Sequence, residues 1–80
     1  MNRAEVLAKL QEVFDGIFLE KVEVKPELSA ADLEEWDSLM QISLVVAVEQ
    51  KFLVRFRVGE VETARNVGEF ADLIVKRMEA

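Results

Sequence analysis

Residues 34–39 read Glu34-Glu35-Trp36-Asp37-Ser38-Leu39, and the apolar run Ile42-Ser43-Leu44-Val45-Val46-Ala47-Val48-Glu49 follows, closing at Phe52. Asp37 is a good N-cap, because a short carboxylate there accepts a first-turn amide that has no partner inside the helix. The run is rich in Val and Leu, yet its length and its cap predict a helix to about Phe52 rather than a strand. At about 100° per residue, Leu44, Val45, Val48 and Phe52 share one side, and Leu39, Ile42, Val46 and Leu53 share nearly the opposite one. A surface helix needs only one apolar stripe. The second stripe must meet the preceding loop, another helix or a partner. Leu39 and Val46 lie nearer the outer face than Ile42, so they are expected to be the more exposed.

Upstream, residues from about Glu20 to Trp36 make a long connection. Pro26 keeps Lys25 out of helical geometry. Leu28 and Leu33 can pin the loop to a core, and Ser29 can cap a short turn over Ala30, Ala31 and Asp32. A loop this long in so small a chain is usually functional or packed as a unit. Before it, Val6, Leu7, Leu10, Val13, Phe14, Ile17 and Phe18 recur at spacings of three and four, which gives one helical face. Asn2 with Glu5 forms a capping-box pattern that starts this helix at Arg3. Gly16 is expected to weaken its last turn.

Downstream, a short helix is expected over Gly59 to Ala64. Asn66 with Glu69 forms a second capping-box pattern. It opens a last helix with Val67, Phe70, Ala71, Leu73, Ile74 and Met78 as its apolar positions. The predicted fold is all-α, with three main helices, one short helix and a long loop between the first two. A single domain is expected over residues 1–80.

Composition narrows the function. The 80 residues include no Cys and no His, with 51% hydrophobic residues and a formal net charge of -6. Disulfides and the usual transition-metal sites are excluded as staples, so helix packing must hold the fold. The same absences remove a thiol nucleophile and an imidazole base, which favours a binding or carrying role over an enzyme. The acidity disfavours nucleic acid as a partner. The start, Met1 to Leu10, is charged and amphipathic rather than signal-like. No apolar run is long enough to span a membrane, and the cytoplasm is the expected location.

Asp37-Ser38-Leu39 lies near mid-chain, after the long loop and at the first turn of an apolar helix. In this the chain resembles the acyl and peptidyl carrier protein family. The resemblance covers nearly the whole chain, including the closing segment Asn66-Val67-Gly68-Glu69-Phe70-Ala71-Asp72-Leu73-Ile74. It implies the four-helix carrier bundle and a monomer. It also implies that Ser38 receives a 4'-phosphopantetheine arm from coenzyme A, transferred by a phosphopantetheinyl transferase whose metal Asp37 contacts. The arm's thiol would carry acyl cargo between acyl-loading and acyl-processing enzymes. A helix N-terminus suits such a phosphodiester. The plainer reading of Asp37 and Ser38 is that they only cap a helix.

The chain departs from the family's pattern in two places. Glu35 and Trp36 stand where many fatty-acid carriers have Gly and a small residue. Gln41, Ser43 and Gln50 stand where acids are common, with Lys51 following. Trp36 is expected to pack against the loop and helix start. The Phe residues at 14, 18, 52, 56 and 70 are expected in the core, some of them lining a space for an acyl chain. Leu39, Ile42 and Val46, with Glu35, Asp37 and Glu49, are the candidate partner-docking residues. Two other roles fit the same residues: an aminoacyl or peptidyl carrier, and an interaction module that kept the fold and lost the arm.

Overall fold

The computed structural model describes residues 1–57 and 59–79, and none of these lies in a strand. Three α-helices carry the fold: α1, Arg3–Ile17; α2, Ser38–Phe52; and α3, Val67–Glu79. The all-α architecture is as expected. The short helix predicted over Gly59 to Ala64 is only a single 3-10 turn, Val61–Thr63. Gly59 has a φ of 84° and Ala64 is extended. Too few residues remain between these breaks to repay the cost of nucleating an α-helix.

Helix α1 begins where the capping box placed it. The Asn2 side chain accepts the Glu5 amide at 2.9 Å, and the Glu5 carboxylate accepts the Asn2 amide at 3.1 Å. The helix runs through Gly16 to Ile17, and Phe18 N closes it on Phe14 O at 2.9 Å. Val6, Leu10, Val13 and Phe14 are its buried face. They meet Leu44, Val48 and Phe52 of α2 and Val67, Phe70, Ala71 and Ile74 of α3 in one core. Lys51 ties α2 to α1 through Glu12 at 3.0 Å, and that bond holds the Glu12 carboxyl below its ordinary range.

The connection between α1 and α2 is a strap fixed at several points. Gln11 clasps its middle: the amide nitrogen donates to Val22 O at 2.7 Å and the amide oxygen accepts from Val24 N at 2.9 Å. Val22 is buried, and Leu28 and Leu33 pack against the core as expected. The turn at Ala30–Asp32 forms with Ser29 at its N-cap, and Asp32 reaches back to that cap. The Asp32 carboxylate accepts the Ser29 amide at 3.0 Å and its hydroxyl at 3.4 Å.

The strap also caps α3. Val67 N donates to Leu28 O and Gly68 N to Pro26 O, both at 2.8 Å. This close approach explains the glycine, because a Cβ on Gly68 would stand 3.0 Å from the Pro26 carbonyl oxygen. Asn66 accepts the Glu69 amide at 2.9 Å, but the Glu69 carboxylate takes the amide of Arg65 at 2.8 Å rather than that of Asn66. Only half of the expected box is therefore made.

After α2 the chain turns at Leu53, which is left-handed (φ 57°, ψ 47°) with its side chain exposed. That conformation costs an L-residue roughly 1–2 kcal/mol. Phe56 then packs on Phe70 with ring centres 5.8 Å apart. Glu60 accepts the Arg57 amide at 2.9 Å and the Arg77 guanidinium at 3.1 Å, which ties the second connection to α3.

Candidate functional site

Ser38 is the first residue of α2 and is exposed. Asp37 precedes it in extended backbone, and its Oδ1 accepts the Met40 amide at 2.8 Å. The first intrahelical bond runs from Gln41 N to Asp37 O at 2.9 Å. The amides of Ser38 and Leu39 therefore stand ahead of the helical ladder, at the positive end of the helix dipole. A phosphodiester on the Ser38 hydroxyl would sit beside these donors. Asp37 is exposed, and its second carboxylate oxygen remains available outside the cap.

Trp36 fixes the approach to this turn. Its ring stands edge-on to Phe14 and Phe18, at 5.4 Å and 6.1 Å, while those two rings stack on each other at 4.9 Å. Its indole N–H donates to the Gln41 side chain at 2.6 Å. Burial of the ring together with this bond holds the chain before Asp37 against the end of α1. Trp36 packs as expected, and it also walls an open groove of about 490 Å³ beside Ser38. Gln41, Val61, Arg65, Asn66 and Phe70 form much of the remaining lining. Sequence reasoning passed over Gln41, Arg65 and Asn66 as groove residues. Gln41 was within reach, since it lies three residues after Ser38 and so on the same helix face.

The candidate docking residues divide into two groups. Leu39, Ile42 and Val46 are 74%, 62% and 48% exposed, so the second stripe of α2 faces solvent. Val46 is less exposed than Ile42, contrary to expectation. It is the shorter side chain and lies between Ile42 and Gln50, its neighbours one turn either way. Glu35 and Glu49 hold the protein's own backbone. Glu35 accepts the amides of Leu19 and Glu20, and Glu49 accepts that of Phe56 at 2.9 Å.

Residues 4–74 match the family described as phosphopantetheine attachment site. An acyl carrier protein of Acidothermus cellulolyticus is 35% identical over 75 residues, covering 92% of this chain and 89% of that one. The chain belongs to the acyl carrier protein family. An acyl carrier protein of Rubrobacter xylanophilus is 33% identical over the full length of both chains. The solution structure of a holo acyl carrier protein from Geobacter metallireducens superposes with a TM-score of 0.74. It is 32% identical, and the match covers 96% of this chain and 85% of that one.

The prosthetic group of the family is 4'-phosphopantetheine, and the residues here fit it. The hydroxyl of Ser38 is accessible, unpaired helix-end amides adjoin it, and the neighbouring groove can receive an extended arm. When attached, the group supplies a thiol, which the chain lacks because it contains no Cys. Among the described residues no three acidic side chains converge to hold a metal ion. No described helix is long and apolar enough to cross a membrane.

Proposed function

We propose that Ser38 carries the 4'-phosphopantetheine arm and that this domain holds acyl intermediates on it as thioesters, acting as a carrier rather than an enzyme. The observation that carries this reading is the exposed Ser38 hydroxyl at the start of α2, beside the groove walled by Trp36 and Phe70. A phosphopantetheinyl transferase would install the arm, with Asp37 offering its outward carboxylate oxygen to the transferase's metal. Asp37, Leu39, Ile42 and Val46 form the surface offered to acyl-loading and acyl-processing enzymes. Glu35 and Glu49 support that surface indirectly by fixing the flanking loops. The cytoplasm is the compartment in which coenzyme A and such partners would meet the chain as a monomer.

The outer face of α2 has no charged residue between Asp37 and Glu49. That pattern favours a specialised pathway over free exchange with enzymes that read acidic carriers. Trapping the loaded protein from its source cells and identifying the thioester-bound group by mass spectrometry tests the proposal. An acyl group released by neutral hydroxylamine is expected. An amino acid or peptide in its place would make the chain a carrier for a nonribosomal or cell-wall pathway. Recovery without any arm would make it an interaction module.

A further inference from the structure

We propose that Gln41 binds the 4'-phosphopantetheine arm in the groove beside Ser38, its side-chain N–H donating to an amide carbonyl of the arm, and that Trp36 sets the orientation that allows this. The proposal rests on the carrier reading above. Three observations carry it.

The first is the direction of the Gln41 carboxamide. The Trp36 indole N–H donates to Gln41 Oε1 at 2.6 Å. Indole and carboxamide nitrogens are both donors only, so this pair can meet through the carboxamide oxygen and in no other way. The Gln41 NH2 group is left over, and it has no acceptor among the described residues. Trp36 stands where many fatty-acid carriers have a small residue, so the indole that orients Gln41 is a feature of this chain rather than of those carriers in general.

The second is where that donor lies. Gln41 is half-buried and lines the groove together with Ser38, Trp36 and Phe70. Among the described residues no sealed side-chain nitrogen lacks a partner. The free Gln41 donor is therefore open to solvent rather than shut in the core. Gln41 follows Ser38 by three residues, about 4.5 Å along the helix axis and on the same face. An arm rooted on Ser38 and laid in the groove passes this group near its start.

The third is the opposite wall. Asn66 lines the groove with the same polarity: its Oδ1 is spent on the Glu69 amide at 2.9 Å, and its NH2 group has no acceptor among the described residues. The charged residues of the groove, Asp37, Glu62 and Arg65, are all exposed, where water competes for them. Donors on half-buried side chains are screened less. The arm brings amide carbonyls for these donors and geminal methyls for the rings of Trp36 and Phe70. A saturated alkyl chain laid in the same place would cover the donors and leave them unpaired, at a cost.

The test is NMR of the holo protein, with an isotope-labelled chain and an unlabelled arm. Intact mass verifies attachment first, and a chain that accepts no arm ends the carrier reading itself. In the holo protein the Gln41 NH2 signals should shift from their positions without the arm. The arm's methyl protons should show contacts to the rings of Trp36 and Phe70. Gln41→Glu keeps an oxygen for the indole and removes the donor. Its indole N–H signal and melting temperature should stay near wild type. The docked-to-free ratio of its arm should fall about fivefold, the effect of about one net hydrogen bond. Trp36→Phe should lower the ratio too, as read from Phe70, because the Gln41 carboxamide loses its fixed orientation. Unmoved Gln41 signals on attachment overturn the proposal, and that result is read on wild type and needs no variant to fold. An unchanged ratio in Gln41→Glu also overturns it. So does recovery of that variant's ratio in about 1 M salt, where the Debye length is about 3 Å, because recovery marks repulsion between the new charge and the phosphodiester.

Discussion

The Glu35 carboxylate binds the amide of Leu19 through one oxygen at 2.7 Å, and through the other it binds the amide of Glu20 at 3.1 Å. This joins the exit of α1 to the residue just before Trp36, and so sets the spacing between α1 and the Ser38 turn. Glu35→Ala should cost about 1–2 kcal/mol, at roughly 1 kcal/mol or less for each of the two hydrogen bonds it removes, and lower Tm by about 4–8 °C for each kcal/mol lost in a domain of this size. Well below Tm, arm attachment should slow modestly, because the chain that leads into the Ser38 turn is no longer held to the exit of α1. Thermal melts and transferase kinetics on the same preparation check both halves.

Val46 tests the opposite relation between fold and surface. Its side chain is half exposed and outside the buried cluster. Val46→Asp should leave the melting temperature within a few degrees of wild type and slow arm attachment or acyl transfer. If the variant unfolds, the stripe belongs to the core. If transfer is normal, the docking assignment is wrong.

Gly68 is held by contact rather than by backbone angle. A side chain there meets the Pro26 carbonyl and the Arg3 guanidinium. Gly68→Val should therefore push the strap off α3 and cost about 1–3 kcal/mol, the usual range for overpacking. Faster hydrogen exchange at the amides of Val67 and residue 68 should accompany the loss. Wild-type stability in this variant would show that the strap moves freely.

Glu60 gives the second connection a pH response. The Arg77 guanidinium, and after it the Arg57 amide, hold its carboxyl below the ordinary carboxylate range. Its folded-state value is therefore lower than its unfolded one. The stabilisation is complete above the unfolded value, about pH 4.3 for a free Glu, and is lost as pH falls through the folded value. The Arg57 amide, followed by NMR from neutral pH to pH 3, should hold steady and then shift at the acid end. Glu60→Gln should abolish that shift.

Much of this was legible along the chain because it depends on near neighbours. Asn2 with Glu5 marked the start of α1, Asp37 marked the start of α2, and helical spacing separated the two faces of α2. The clasps were not legible. Gln11 reaches Val22 and Val24, Glu35 reaches Leu19 and Glu20, and Pro26 and Leu28 cap α3. Each joins groups separated by many residues, and no periodic pattern encodes such a bond before the chain is folded. The same holds for the groove, since Arg65 and Asn66 approach Ser38 only once α3 has packed. Glu35 and Glu49 looked like surface acids for the same reason: composition shows a charge but not the amide that takes it.

The central claim is that Ser38 bears the arm. The direct measurement is intact-mass and peptide-mapping analysis after incubation with coenzyme A and a broad-specificity phosphopantetheinyl transferase. The account predicts one phosphopantetheine per chain, located on the peptide containing Ser38, and none on Ser38→Ala. An arm on Ser29 or Ser43, or an unmodified wild-type chain, would contradict it.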